Sequence, residues 1–232
     1  MPLIALRPDI APQISCAVTG RYDEQGEEFN LSSQQEPACL ETNLARLQTS
    51  LGLENIVWLR QVHGERIVEA DLSCRLNPPE ADGIFTTAPG LGILIRQADC
   101  QALVLTAPGL AGNFHVGWRG NVLNLPGKAL RFLSRRFDIA PRFFQAYIAP
   151  SLGPCCGEFV NYRKELPDIM HPFAVKENYF NLWAITAWQL INEGLPRANL
   201  SFSGLCTKSE KDRFFSHRRG DAGRFGTVAA LK

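Results

Sequence analysis

The sequence predicts an α+β fold, carried by one domain over residues 1–232. Short β-branched and alternating runs outnumber the stretches with helical periodicity. The helical stretches are also separated by runs of two to five strands, which argues against strict βαβ alternation. With 45% hydrophobic and 20% charged residues, the composition is that of a chain with a packed core rather than a disordered one.

Taken in order, Ile14–Thr19 reads as an opening strand, followed by a polar, turn-rich stretch. Glu36–Leu51 places Leu40, Leu44, Leu47 and Leu51 at helical spacing, and Gly52 closes it as a C-cap. Asn55–Leu59 and Arg66–Ala70 are short strands, a third begins at Ala81-Asp82-Gly83, and Leu91–Ile95 is a fourth. Pro108-Gly109 turns a hairpin from Leu103–Thr106 to Gly112–Val116. Val122–Phe137 has helical spacing, with Pro126-Gly127 restricting or kinking its first turn. Phe143–Ala149 is a strand, Pro150–Gly157 a loop and Asn181–Glu193 a helix. Leu200–Cys206 and Phe225–Leu231 close the chain as strands.

A formal net charge of +1 implies no bulk attraction to nucleic acid or to an anionic membrane. No window approaches the roughly 18 consecutive apolar residues of a membrane span. The first ten residues contain Arg7 and Asp9 and no apolar secretory core. The seven cysteines are therefore expected as free thiols in a cytoplasmic protein. Neighbouring Cys155 and Cys156 fit two thiols better than a strained vicinal disulfide.

The chemistry concentrates between Arg96 and Gly120. Arg-Gln-Ala-Asp-Cys (96–100) and Phe-His-Val-Gly-Trp-Arg-Gly (114–120) offer a soft ligand at Cys100, an imidazole at His115 and a fixed cation at Arg119. Gly117 and Gly120 permit close backbone approach or a positive φ. Upstream, Gln-Val-His-Gly (61–64) adds His63. Two His and one Cys make a three-ligand zinc site with an open fourth position, although packed or solvated residues remain the ordinary alternative.

Further motifs follow in order: Trp-Leu-Arg-Gln-Val-His-Gly (58–64), Ala-Asp-Cys (98–100), His-Val-Gly-Trp-Arg-Gly (115–120), Gly-Pro-Cys-Cys-Gly-Glu (153–158), Cys-Thr (206–207), Phe-Phe-Ser-His-Arg-Arg-Gly (214–220) and Gly-Arg-Phe (223–225). The series resembles the laccase-domain family, also called the YfiH-like or polyphenol oxidase family, from about Phe29 to the C-terminus. The resemblance implies one domain of layered mixed sheets flanked by helices, and metal ligands, normally zinc, at His63, Cys100 and His115. It also implies phosphorolysis of adenosine, inosine and methylthioadenosine, and deamination of adenosine. Copper-dependent phenol oxidation and peptidoglycan editing are attributed to the family as well. Three positions depart from its pattern: Arg60 stands where an acidic residue is usual, Leu44 where an Arg follows Asn43, and His217 where a Tyr is common.

Two neutral imidazoles and a thiolate hold zinc as a net +1 centre and lower the pKa of a bound water toward ~7. Deamination then needs a carboxylate for proton transfer, and Asp99 and Glu158 are the candidates beside Cys100 and His115. Phosphorolysis needs an anion site: Arg119 suits phosphate oxygens, with Arg60 and Arg218 as weaker candidates. Purine nucleoside and phosphate are thus the expected partners, with Zn2+ or alternatively Cu2+ as the cofactor. A copper oxidase remains a second hypothesis, although four His in all are few for a multinuclear array. In a third, the zinc is structural and closed by His171, His217 or Cys155.

Overall fold

The structure is a computed structural model, and it describes residues 3–232. The chain opens with β1 (Ile4–Leu6), β2 (Ile14–Thr19), α1 (Pro37–Leu51), β3 (Asn55–Trp58), β4 (Ile67–Glu69) and α2 (Ser73–Leu76). Four strands follow: β5 (Gly83–Thr86), β6 (Leu91–Gln97), β7 (Gln101–Ala107) and β8 (Leu110–Val116). Next come α3 (Trp118–Val122), α4 (Leu125–Phe137), β9 (Gln145–Ile148) and α5 (Tyr162–Glu165). The small hairpin of β10 (Ala174–Lys176) and β11 (Tyr179–Phe180) precedes α6 (Leu182–Asn192), β12 (Leu200–Phe202) and β13 (Phe225–Leu231).

Two mixed sheets carry the molecule. The first runs β1-β2-β13-β6-β3 and the second β12-β9-β7-β8-β5-β4. The pairs β3–β6, β4–β5 and β9–β12 are parallel, and the other ladders are antiparallel. Ile93, Ile95 and Ala229 of the first sheet pack against Ile84, Ala102 and Val104 of the second in one core. The outer face of the first sheet buries Ile56, Leu94 and Val228 under Leu44 and Leu47 of α1. The outer face of the second buries Leu103, Leu105 and Phe114 under Leu130 and Leu133 of α4 and Leu190 of α6. The result is four layers, helix on sheet on sheet on helices. Central strands covered on both faces read as continuous apolar runs, and all of β7 is buried.

The expected α+β class, α1 with its Gly52 cap and the hairpin around Pro108-Gly109 are all present. Gly52 sits at φ 64°, in the left-handed region that ends a helix without a Cβ penalty. The stretch after residue 116 departs from expectation. Helix formation begins at Trp118, breaks where Asn124 adopts φ 55°, and restarts as α4. Asn124 then caps α4 by accepting from the Gly127 amide, and Pro126 sits in the first turn, where proline is tolerated. The expected strand over Leu200–Cys206 ends at Phe202, and Cys206 retains a single bridge to Ser151. The one over Phe143–Ala149 shortens to Gln145–Ile148, after a 3-10 turn at Pro141–Phe143. Among the described residues, no helix is long and apolar enough to cross a membrane.

Candidate metal centre

The chain passes from the first sheet to the second between β3 and β4, and again between β6 and β7. His63 lies on the first crossing and Cys100 on the second. His115 is on β8, opposite Ala102 of β7 in the ladder. One ligand atom from each of the three falls within 4.8 Å of the others. The two imidazole rings meet edge to face, with centroids 4.8 Å apart.

Asp82, fully buried at the start of β5, organises the group. Its Oδ1 lies 2.8 Å from His115 Nδ1, which leaves Nε2 for a ligand. The same carboxylate accepts from three consecutive amides, those of Val62 (3.2 Å), His63 (2.9 Å) and Gly64 (2.6 Å). That cradle holds His63 at φ 60°, an uncommon conformation for a residue with a side chain. The Asp82 backbone carbonyl accepts from the His115 amide at 2.7 Å, so one residue fixes two of the three ligands.

The electrostatics match the geometry. Burial pushes the Cys100 thiol up, but the His115 charge and hydrogen bonds from both imidazoles outweigh it and bring the thiol down to about 6. Burial likewise disfavours the His115 cation, yet Cys100 and Asp82 raise it to about 9. Burial also opposes ionisation of Asp82, and its bond to His115 and the loop amides reverse that, holding its carboxyl below the usual value. One thiolate, two imidazoles and a carboxylate behind one of them make a donor set suited to zinc or copper. The space is kept open by Gly117, where a Cβ would lie 3.0 Å from Cys100 Sγ and 3.3 Å from His63 Cδ2.

All three side chains open onto one cavity of about 580 Å³, whose wall also carries Arg60, Arg96, Arg119, Arg218 and Arg224. Arg119 is exposed, lies 4.2 Å over the Trp118 ring, and has no ion-pair partner among the described residues. Arg60 pairs with Glu80 at 2.9 Å on the rim. Arg218 donates from Nη1 to the Glu158 carbonyl at 2.7 Å and lies 5.3 Å over Phe159.

The two carboxylates considered for proton transfer part company. Asp99 lines the cavity, accepting from the Thr207 hydroxyl (2.6 Å) and the Arg218 amide (2.7 Å), with φ 85°. Glu158 is exposed, does not line the cavity, and has its carboxylate beside Tyr179. Of the residues considered as a fourth metal ligand, His217 lines the cavity. His171 packs against Tyr162 and Phe180 instead, and Cys155 belongs to another cluster.

Asp82, Arg96 and Arg224 also belong to this site; in the sequence they stood only at a strand start and within two motifs, with no role attached. Arg96 reaches the carbonyls of Leu31 and Leu59, and burial together with Arg224 lowers its pKa. Gln61 clamps the Arg96 backbone, accepting from its amide at 2.9 Å and donating to its carbonyl at 2.8 Å. The available signal for Asp82 was an acidic residue directly before a strand glycine, which spacing alone could not connect to His115.

A sandwich of mixed sheets with a His-Cys-His cluster at its crossings is an architecture with known relatives. The profile of the family described as multi-copper polyphenol oxidoreductase laccase matches residues 15–232, and the chain belongs to that family. It is 34% identical over 209 residues to a purine nucleoside phosphorylase of Xylella fastidiosa, covering 83% of this chain and 79% of the relative. It is 29% identical over 193 residues to a protein named as an adenosine deaminase, from an unknown prokaryotic organism, covering 75% and 73% of the two. The crystal structure of the Bacillus licheniformis hypothetical protein YfiH superposes with a TM-score of 0.90 at 23% identity, over 100% of this chain and 97% of that one.

Proposed function

We propose that this protein is a zinc-dependent purine nucleoside enzyme, phosphorolysing adenosine, inosine and methylthioadenosine and also deaminating adenosine. One observation carries the reading: the His63–Cys100–His115 cluster and a set of arginines share a single cavity. The names of the relatives point to the same substrate class.

In this reading His63, Cys100 and His115 hold the metal, and no fourth side chain joins their cluster among the described residues. A zinc ion there supplies Lewis acidity without a redox step of its own. Arg119 offers its planar fork to phosphate, with Arg218 and Arg60 adding positive charge around it. Phosphorolysis joins a phosphate oxygen to C1′ of the ribose and breaks the bond from C1′ to the purine. The arginines hold that phosphate and offset its charge against the sugar. Proton transfer is assigned to Asp99 rather than Glu158, because Asp99 lies on the cavity wall, its orientation fixed by Thr207 and Arg218.

The test is product analysis on adenosine with the zinc-loaded protein. Free base and ribose-1-phosphate are expected when phosphate is supplied, and inosine without it. Cys100→Ala loses both activities together with the metal, whereas Arg119→Lys retains zinc and raises the phosphate requirement about tenfold or more. Oxidation of a phenol by the copper-loaded protein, with no nucleoside turned over by either metal form, overturns the reading.

A further inference from the structure

We propose that Cys155, Cys156 and Cys206 form a second metal site, separate from the first, that takes a thiophilic d10 cation, Zn(II) or Cu(I). The three sulfurs all lie within 4.8 Å of one another, and those of Cys155 and Cys156 are 3.6 Å apart. An ion with metal–sulfur bonds of ~2.3 Å in trigonal or tetrahedral geometry sets its sulfurs ~3.8–4.0 Å apart. Small side-chain rotations therefore bring the trio onto one ion. The Ser209 hydroxyl lies 3.6 Å from both Cys155 Sγ and Cys156 Sγ and adds a polar neighbour to the trio.

The surroundings hold the trio in place. The loop carrying Cys155 and Cys156 meets Cys206 through the Ser151–Cys206 bridge, with the Thr207 amide donating to the Ser151 carbonyl at 3.1 Å. Gly153 makes that approach possible, since a Cβ there would lie 2.9 Å from Cys206 Cβ and 3.0 Å from the Trp183 ring. Trp183 in turn donates to the Ser151 hydroxyl at 2.7 Å. Cys155 is exposed, giving an ion a way in from solvent, while Cys206 is buried.

A disulfide serves this arrangement less well. Joining Cys155 to Cys156 closes a strained vicinal ring, and any pairing leaves one of the three sulfurs unused. Metal binding uses all three: each Sγ–H bond breaks, its proton goes to solvent, each sulfur forms a bond to the ion, and no oxidation state changes. Soft thiolates select Cu(I) and zinc over harder cations.

The proposal does not depend on the purine nucleoside reading, and stoichiometry tests it directly. Protein stripped of metal under reducing conditions is dialysed against Zn(II) in one arm and Cu(I) in the other, and bound metal per chain is measured. About two equivalents of at least one ion are expected for the wild type, and about one for Cys155→Ala, Cys206→Ala or His63→Ala. His63→Ala combined with Cys155→Ala should retain none. The exposed position of Cys155 keeps the test usable if Cys206→Ala fails to fold. The proposal is overturned if neither ion exceeds one equivalent in the wild type and that equivalent persists in Cys155→Ala, or if Cys155→Ala binds two equivalents. A loss of two hydrogens in intact mass on air exposure, without uptake of a second ion, also overturns it and assigns the cluster to disulfide chemistry.

Discussion

Asp82 and Asp221 do most to fix side chains at the cavity, and neither is expected to touch substrate. Asp82 orients His115 and the His63 turn. Asp221 secures the 3-10 turn over His217–Arg219 that brings His217 and Arg218 to the cavity. It accepts from the Ser216 amide at 2.9 Å and pairs with Arg219 and, at 3.6 Å, with Arg21. Burial works against its ionisation, but the Ser216 amide and the two guanidinium groups more than offset this and hold its carboxyl below the usual value. Because the folded value lies below the unfolded one, its contribution is complete above about pH 4 and fades as the pH falls through the folded value. Asp221→Asn should therefore cost ~1 kcal/mol at pH 7, discounted for partial solvent screening, and flatten the acid limb of the stability curve. Thermal melts of both proteins from pH 7 to pH 2 give the comparison. An acid limb unchanged in the variant would remove Asp221 from the account.

At the scale of elements, the turn between β8 and α3 is the most exacting. Gly117 has φ −79° and ψ 179°, a conformation open to any residue, so its reason for being glycine is space rather than backbone freedom. Positive φ falls instead on His63 and Asp99, the residues held by Asp82 and by Thr207 with Arg218. Gly117→Ala places a methyl against Cys100 and His63, and should weaken metal retention about tenfold while leaving the circular dichroism spectrum unchanged. Gly64→Ala is the control, because its Cβ would meet Asp82 at an ordinary 3.5 Å. Equal metal affinity in the two variants would show that Gly117 does not shape the ligand set.

The same turn shows how much was legible in the sequence. His115 could be placed at the end of a hairpin because Pro108-Gly109 marks the turn and the flanking runs carry the strand pattern, both local signals. The three donors could be named by type and by the resemblance. Their support could not, since Asp82 and Gln61 act across 33 and 35 residues. The split between α3 and α4 was hidden for a different reason: Asn124 in the left-handed region breaks a stretch whose apolar spacing continues. Cys206 read as part of a strand because Leu200–Cys206 is mostly apolar, whereas ladder pairing stops at Phe202.

For the whole molecule, the position of the His-Cys-His cluster matters more than its composition. His63 and Cys100 lie on two separate crossings between the sheets, and His115 lies within the second sheet. An ion bound to all three would join the two crossings to the second sheet, beside the cavity that the cluster lines. Binding to the folded chain and not to the unfolded one stabilises by about 4 kcal/mol when free metal exceeds its Kd a thousandfold. For a chain of this length that corresponds to a rise in Tm of roughly 10 °C. Stripping the metal with a chelator should reverse the rise in Cys155→Ala, where the ion at the crossings is the one that remains, and at least as large a rise in the wild type. Cys100→Ala combined with Cys155→Ala, which lacks both clusters, should melt at one temperature with or without chelator. Calorimetry on these three proteins, each with and without added zinc, measures the difference. A doubly substituted Cys100→Ala, Cys155→Ala protein that still gained the shift seen in Cys155→Ala would show that the sheets are not held together through this cluster.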